Sequence, residues 1–134
     1  MPFTHQLRVR FGECDPQNLV FNAHYLAYAD VALTELQRAA FGSYDRMIAE
    51  HGVDLVVAEA QIRYRMPARF DDLLDVGLTV ARIGTTSMTL ALSITRDATT
   101  IVEGDLRYVF VDAQTWDKAP IPDGVRAALA LWAS

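Results

Sequence analysis

One change of rhythm constrains this chain more than any other feature. From Asn22 to about Phe41 the apolar positions recur at helical spacing: Tyr25, Ala29, Ala32, Leu36 and Ala39, flanked by Leu26, Leu33 and Ala40. From Leu55 onward the period drops to two. Leu74, Val76, Leu78 and Val80 alternate with Asp75, Gly77, Thr79 and Ala81, and Met88, Leu90, Leu92 and Ile94 alternate with small polar residues. The two periods do not interchange, so one long helix must pack against a sheet. A helix of about twenty residues spans roughly 30 Å. Its stripe is rich in Ala, which lets a sheet approach the helix axis closely, and the sheet is expected to curl around it.

The remaining elements follow from their punctuation. Phe3 to Phe11 reads as a first strand. Asn22 is a preferred N-cap residue and is expected to open the long helix, which Gly42 closes. Ser43 is expected to cap a short helix over Tyr44 to His51, ended by Gly52. Leu55 to Met66 is a strand stopped by Pro67, and 68–72 form a connection. Turns at Gly84-Thr85 and at Asp97 to Thr99 separate the next strands, the last being Ile101 to Val111, in an antiparallel meander. Pro120 and Pro122 mark the exit, with Asp123 expected to cap a helix over Val125 to Trp132. The fold class is α+β, with about five antiparallel strands.

Composition narrows the function classes. The chain has 134 residues, which suits one domain spanning 1–134, and 51% are apolar, enough for a core without metal or disulfide staples. No apolar run reaches the roughly 18 residues of a membrane span, and MPFTHQLRVR lacks a signal-peptide stretch, so a cytoplasmic protein is expected. The single Cys14 can form no internal disulfide, and no Cys/His cluster points to a metal. A net charge of −5 argues against general nucleic-acid binding, though not against a local basic patch for one phosphorylated ligand.

The chemistry concentrates in RFGECDPQNLVFNAHYLAY, from Arg10 to Tyr28. Gly12 and Asp15-Pro16 break the regular structure, leaving a carboxylate seven residues before the expected helix start. Helix N-termini present free N–H groups and partial positive charge, suited to an oxyanion or a polarised carbonyl. Asp15 facing such a site would act as nucleophile or general base. Glu13 would share its face if the strand persisted, although a solvated loop acid is the simpler reading. His24 has no sequence-local partner to fix its tautomer, which favours packing. The carboxylate beside Cys14 would raise the thiol pKa, which favours a small buried residue over a nucleophile. Arg63, Arg65 and Arg69 form a basic cluster, with the first two on one strand face. Arginine forks suit phosphates, and a solvated face is the equal alternative.

FGECDPQNLVFNAHYLAYAD resembles the signature of the 4-hydroxybenzoyl-CoA thioesterase family of hotdog-fold acyl-CoA thioesterases, with Phe11, Gly12, Glu13, Cys14, Asp15, Pro16, Val20 and Tyr25 in register. VVAEAQIRYRMPARFDDLLDV and VEGDLRYVFVD resemble later strands of the family. The resemblance implies a hotdog domain that hydrolyses an acyl thioester. Asp15 would be the reactive carboxylate and the helix start at Asn22-Ala23 the oxyanion site. Tyr25, Arg63, Arg65, Arg69, Arg82 and Ser87 would touch the substrate. It implies no metal and no cofactor, with coenzyme A as part of the substrate, and a homodimer with interfacial sites that often pairs into a homotetramer. Where some relatives carry a basic run before the fourth strand, this chain has Ile83-Gly84-Thr85-Thr86 with Arg82 nearby. An acyl-carrier-protein thioesterase and a non-catalytic hotdog module that binds acyl thioesters are the alternatives.

Overall fold

The fold is taken from a computed structural model, which describes residues 2–133. β1 (Phe3–Arg8) leads through a 3₁₀ turn (Phe11–Glu13) to α1 (His24–Phe41) and α2 (Tyr44–His51). β2 (Val53–Tyr64), β3 (Leu73–Ile83), β4 (Ser87–Arg96) and β5 (Thr99–Asp112) follow, then α3 (Asp123–Leu129) and a final 3₁₀ turn (Ala130–Trp132). The strands form one antiparallel sheet in the order β1-β3-β4-β5-β2. It curls around α1 in the hotdog arrangement.

The core lies between α1 and the inner sheet face. Tyr25, Ala29, Ala32, Leu33 and Leu36 of α1 are buried against Leu74, Val76 and Leu78 of β3 and Met88, Leu90, Leu92 and Ile94 of β4. These are the residues whose two periods mark them as core. Glycine and serine set the helix ends. Gly42 takes φ 92° and stops α1, the Ser43 side chain accepts the Arg46 N–H at 3.0 Å, and Gly52 at φ 70° stops α2. The left-handed Gly52 delivers the chain straight into β2, which therefore starts at Val53 rather than Leu55.

Other expected boundaries move as well: β2 ends at Tyr64 rather than Met66, and β5 runs from Thr99 to Asp112 rather than from Ile101 to Val111. β1 ends at Arg8 rather than Phe11, because Glu13 reaches back to accept the Arg10 N–H at 2.8 Å and winds 11–13 into a turn. The long helix begins at His24, not Asn22. Ala23 occupies the cap position in helical conformation, with no side-chain cap. The His24 N–H is already satisfied by the Phe21 carbonyl at 2.9 Å, so Asn22 caps nothing. At the other end Pro122 holds the cap position of α3 and Asp123 is its first helical residue.

β1 and β2 are the sheet edges. β2 is twelve residues long and exposes Val56 and Val57. Among the described residues no helix is long and apolar enough to cross a membrane.

Candidate active site

Glu13 and Asp15 diverge because their donors differ. Glu13 Oε1 accepts the Arg10 N–H at 2.8 Å and the Tyr28 hydroxyl at 2.9 Å, while Oε2 accepts Arg10 Nε at 3.1 Å. Burial pushes the Glu13 carboxyl up, but these donors outweigh it and hold its pKa below the usual value. Burial first, then the bond to Glu13, pushes the Tyr28 phenol far up. Glu13 is therefore neither a solvated loop acid nor a neighbour that shares a face with Asp15. It ties the 3₁₀ turn to α1 and lines a separate groove with His24, Ala27 and Val31.

Asp15 sits in a closed turn. Its N–H donates to the Leu19 carbonyl at 2.8 Å, and its own carbonyl accepts the Asn18 N–H at 2.9 Å. Oδ1 accepts the N–H groups of Gln17 at 2.9 Å and Leu19 at 3.3 Å. This is the habit of an aspartate that mimics a backbone turn. Oδ2 accepts no hydrogen bond from the described residues. One carboxylate oxygen thus orients the group and the other is left for a ligand.

A cleft of about 290 Å³ opens at this turn. Asp15, Leu19, Val20 and Asn22 form one wall, and Tyr64, Arg65, Met66 and Pro67 at the exit of β2 form the other, with Tyr25 between them. The buried Tyr25 hydroxyl accepts the Ala68 N–H at 3.2 Å, and burial raises the phenol pKa. Tyr64 donates its hydroxyl to the Asn22 carbonyl at 3.2 Å, fixing the turn that enters α1. The N–H groups of Asn22 and of the next residue, Ala23, find no acceptor among the described residues. Both residues are exposed. The two amides expected at a capped helix start are present and free, although the helix starts later and without that cap.

The structure therefore brings Asp15, Asn22, Tyr25 and Arg65 to one cleft. Arg65 is itself ion-paired there, and Arg63, Arg69, Arg82 and Ser87 do not line the cleft. Arg65 donates Nε to Glu103 at 2.9 Å, and Arg63 lies 3.6 Å from Glu103 and 3.8 Å from Asp105. Acids of β5 neutralise these arginines, so this is a solvated face rather than a phosphate cradle. The Arg65 guanidinium in turn holds the Glu103 carboxyl below its usual range. The Arg69 guanidinium is exposed and unpaired, while its backbone bridges to Leu19 and its N–H donates to Asp72 at 2.8 Å. Arg82 and Ser87 flank the β3–β4 turn, where the Gly84 N–H meets the Ser87 carbonyl at 2.7 Å. That turn is at the far end of the eleven-residue β3, roughly 30 Å from the cleft by strand rise. Within one chain neither residue reaches Asp15.

The bland readings hold for two residues. The His24 ring packs edge-on against Phe21 at 6.4 Å between centroids. Cys14 is half-buried, and burial, then Asp15, Glu13 and Asp72, pushes its thiol up, away from reactivity. Tyr64 is the residue that the sequence reading missed. Alternation in Arg63-Tyr64-Arg65 placed it opposite the arginine face, towards α1, which was the available signal.

A family described as "Thioesterase-like superfamily" matches residues 9–129. The acyl-CoA thioester hydrolase YbgC of Escherichia coli O6:H1 is 28% identical over 126 residues, covering 93% of each chain. The 1,4-dihydroxy-2-naphthoyl-CoA hydrolase of Nostoc punctiforme is 23% identical over 125 residues, covering 93% of this chain and 84% of that one. A solved thioesterase-superfamily structure from Jannaschia sp. CCS1 superposes with a TM-score of 0.91 at 23% identity, covering 98% of this chain and 93% of that one.

Proposed function

This chain belongs to the thioesterase-like superfamily, and from that premise we propose that it hydrolyses an acyl-CoA thioester to the free acid and coenzyme A. One observation carries the reading. A carboxylate oriented through Oδ1, with Oδ2 free, shares a cleft with a turn whose two amides are unpartnered. The thioester carbonyl would point at the N–H groups of Asn22 and Ala23, which stabilise the negative charge that develops on its oxygen. Asp15 Oδ2 would then take the proton of an attacking water, or attack the carbonyl carbon itself to form an anhydride that water opens. In both routes the C–S bond breaks, the sulfur leaves as thiolate and takes up a proton, and the acid departs. Neither route calls on a metal or redox cofactor; coenzyme A enters as part of the substrate. The coarser reading rests also on the names of the relatives, which describe acyl-CoA thioester hydrolysis in those proteins.

The assembly proposed is a homodimer joined at β2, with a homotetramer built from it. Antiparallel pairing of two β2 strands sets the cleft end of one sheet beside the opposite end of the other. Arg82 of the partner subunit would then approach the cleft, which reconciles its distance within one chain with a role in holding coenzyme A. A second reading, an acyl-carrier-protein thioesterase, is favoured by the neutralised Arg63 and Arg65, which leave few free cations beside the cleft.

The test is a hydrolysis panel of acyl-CoAs graded in length and aromaticity, with acyl-carrier-protein thioesters as a parallel arm. Turnover of an acyl-CoA by the parent, lost in Asp15→Asn, is the expected result. Turnover of the carrier-protein arm alone would favour the second reading. Binding without hydrolysis of any member would make the protein a non-catalytic module.

A further inference from the structure

The turn that carries Asp15 is suspended from the corner between β2 and β3. The Val20 N–H donates to the Ala68 carbonyl at 2.9 Å, and Leu19 bridges Arg69. Leu19 in turn gives its N–H to Asp15 Oδ1. The far half of this corner is anchored by backbone, since the Asp71 N–H donates to the Val9 carbonyl at 3.1 Å and the Val9 N–H to the Asp72 carbonyl at 2.9 Å. The near half, Pro67 to Arg69, is held by side chains: the Ala68 N–H donates to the Tyr25 hydroxyl at 3.2 Å, and an ion pair adds a second, charged anchor. Arg96, the last residue of β4, reaches Asp72 Oδ2 at 2.6 Å and the Pro67 carbonyl at 3.3 Å, both through Nη1. The same Asp72 oxygen accepts the Arg69 N–H at 2.8 Å.

This ion pair differs from the surface pairs of the molecule. Its side chains are 26% and 23% exposed, whereas Arg38 and Glu35 are 58% and 33% exposed, and Arg8 and Asp71 are 56% and 66% exposed. Exposed pairs hold little in place, while a shielded, charge-assisted bond to a fixed strand holds geometry. β4 is such a strand, with Leu92 and Ile94 buried beneath it.

We propose that Arg96 is a positioning residue for the hydrolysis: through Asp72 and the Pro67 carbonyl it fixes the corner from which the Asp15 turn hangs. The proposal rests on Asp15 as the reactive carboxylate. Arg96 does not line the cleft, so it acts through geometry, and a misplacement of about 1 Å is enough to cost roughly a hundredfold in rate.

The experiment compares Arg96→Gln, Arg96→Lys and Asp72→Asn, with Arg38→Gln as a surface control, on the acyl-CoA that the parent turns over fastest. Arg96→Gln is expected to lower kcat roughly 10- to 100-fold with a smaller change in KM. Because one nitrogen makes both contacts, the lysine ammonium should restore most of the rate, and Arg38→Gln should change nothing. In an Asp15→Asn background, Arg96→Gln should add less than about a twofold loss, because residues acting as a unit are not additive. A readout independent of turnover is amide exchange at Gln17 to Val20, which should quicken in Arg96→Gln and not in Arg38→Gln. Should Arg96→Gln fail to fold, the near-isosteric Asp72→Asn carries the same expectations. A kcat within twofold of the parent, a loss that multiplies with Asp15→Asn, or unchanged exchange at 17–20 would overturn the proposal. A parent inactive on the whole panel with quickened exchange would leave the clamp standing and remove the proposed reaction instead.

Discussion

Glu13 and Asp15 stand two residues apart and are put to opposite uses by the donors around them. Both oxygens of Glu13 are occupied, whereas Asp15 keeps Oδ2 free. Asp15→Asn keeps the turn, because the amide oxygen still accepts from Gln17 and Leu19, but removes the carboxylate proposed as base or nucleophile. We expect kcat to fall at least about a hundredfold with an unchanged melting profile; a well-folded variant with most of its rate would take Asp15 out of the mechanism. Glu13 gives a prediction about acid. Its hydrogen-bond donors hold its pKa below the ordinary carboxylate value despite burial, so the native state prefers the ionised form more than the unfolded chain does. The resulting stability is fully present above the unfolded pKa and is lost as pH falls through the folded one. The parent should therefore lose more melting temperature than Glu13→Gln on going from about pH 5 to about pH 3, and parallel profiles for the two would show that Glu13 is not the staple.

At the scale of elements, local chemistry was legible and partners distant in sequence were not. Gly42, Ser43 and Gly52 each declare a helix end by their own chemistry, and α1 and α2 begin or stop beside them, whereas β2 already ends at Tyr64, ahead of Pro67. The alternation of β3 and β4 named the core side correctly, residue by residue. What failed depended on groups elsewhere. Asn22 has the chemistry of a cap, yet the carbonyl of Phe21, one residue earlier, accepts the His24 N–H instead. Arg63 and Arg65 read equally as a phosphate site or a solvated face until β5 supplied Glu103 and Asp105, some forty residues along the chain. The turn at Asp15-Pro16 was legible as a turn, while its suspension from 67–72 was not. The entry into α1 supplies a prediction. With no cap to lose, Asn22→Ala should change stability by less than about 0.5 kcal/mol. Asn22→Asp places a negative charge beside two amides that would receive an oxyanion, and should slow hydrolysis about tenfold or more. Melting and turnover on one acyl-CoA check both halves. If Asn22→Asp turns over at the parent rate, the thioester carbonyl lies elsewhere.

For the whole molecule the open question is what covers β2. Its free edge offers a row of unpaired backbone groups, and proteins protect such edges or use them for pairing. β1, the other edge, has six residues and carries Thr4, Gln6 and Arg8, whereas β2 has twelve and exposes Val56 at 40% and Val57 at 56%. Beside β2 an apolar trough of about 330 Å³ runs between Leu26, Ala27 and Ala29 of α1 and Val57, Ala60 and Leu106 of the sheet. Leu26 and Val31 on the same helix are also exposed. A second copy, applied by a two-fold axis, would pair both edges and close both troughs at once. The protein should therefore sediment at micromolar concentration as a dimer or as a tetramer built from two dimers, at no less than roughly twice the 14.9 kDa chain mass. Val57→Glu puts a charge into the centre of that contact, on a strand whose pairing with β5 it leaves intact, and should shift the protein towards monomer. If the partner subunit's Arg82 completes the substrate site at the cleft, as proposed, that monomer should keep its fold and its helix content but lose most turnover, with KM for the acyl-CoA rising before kcat falls. A folded Val57→Glu monomer as active as the parent would show that each chain holds its substrate alone, and Arg82 would then have no part in binding it.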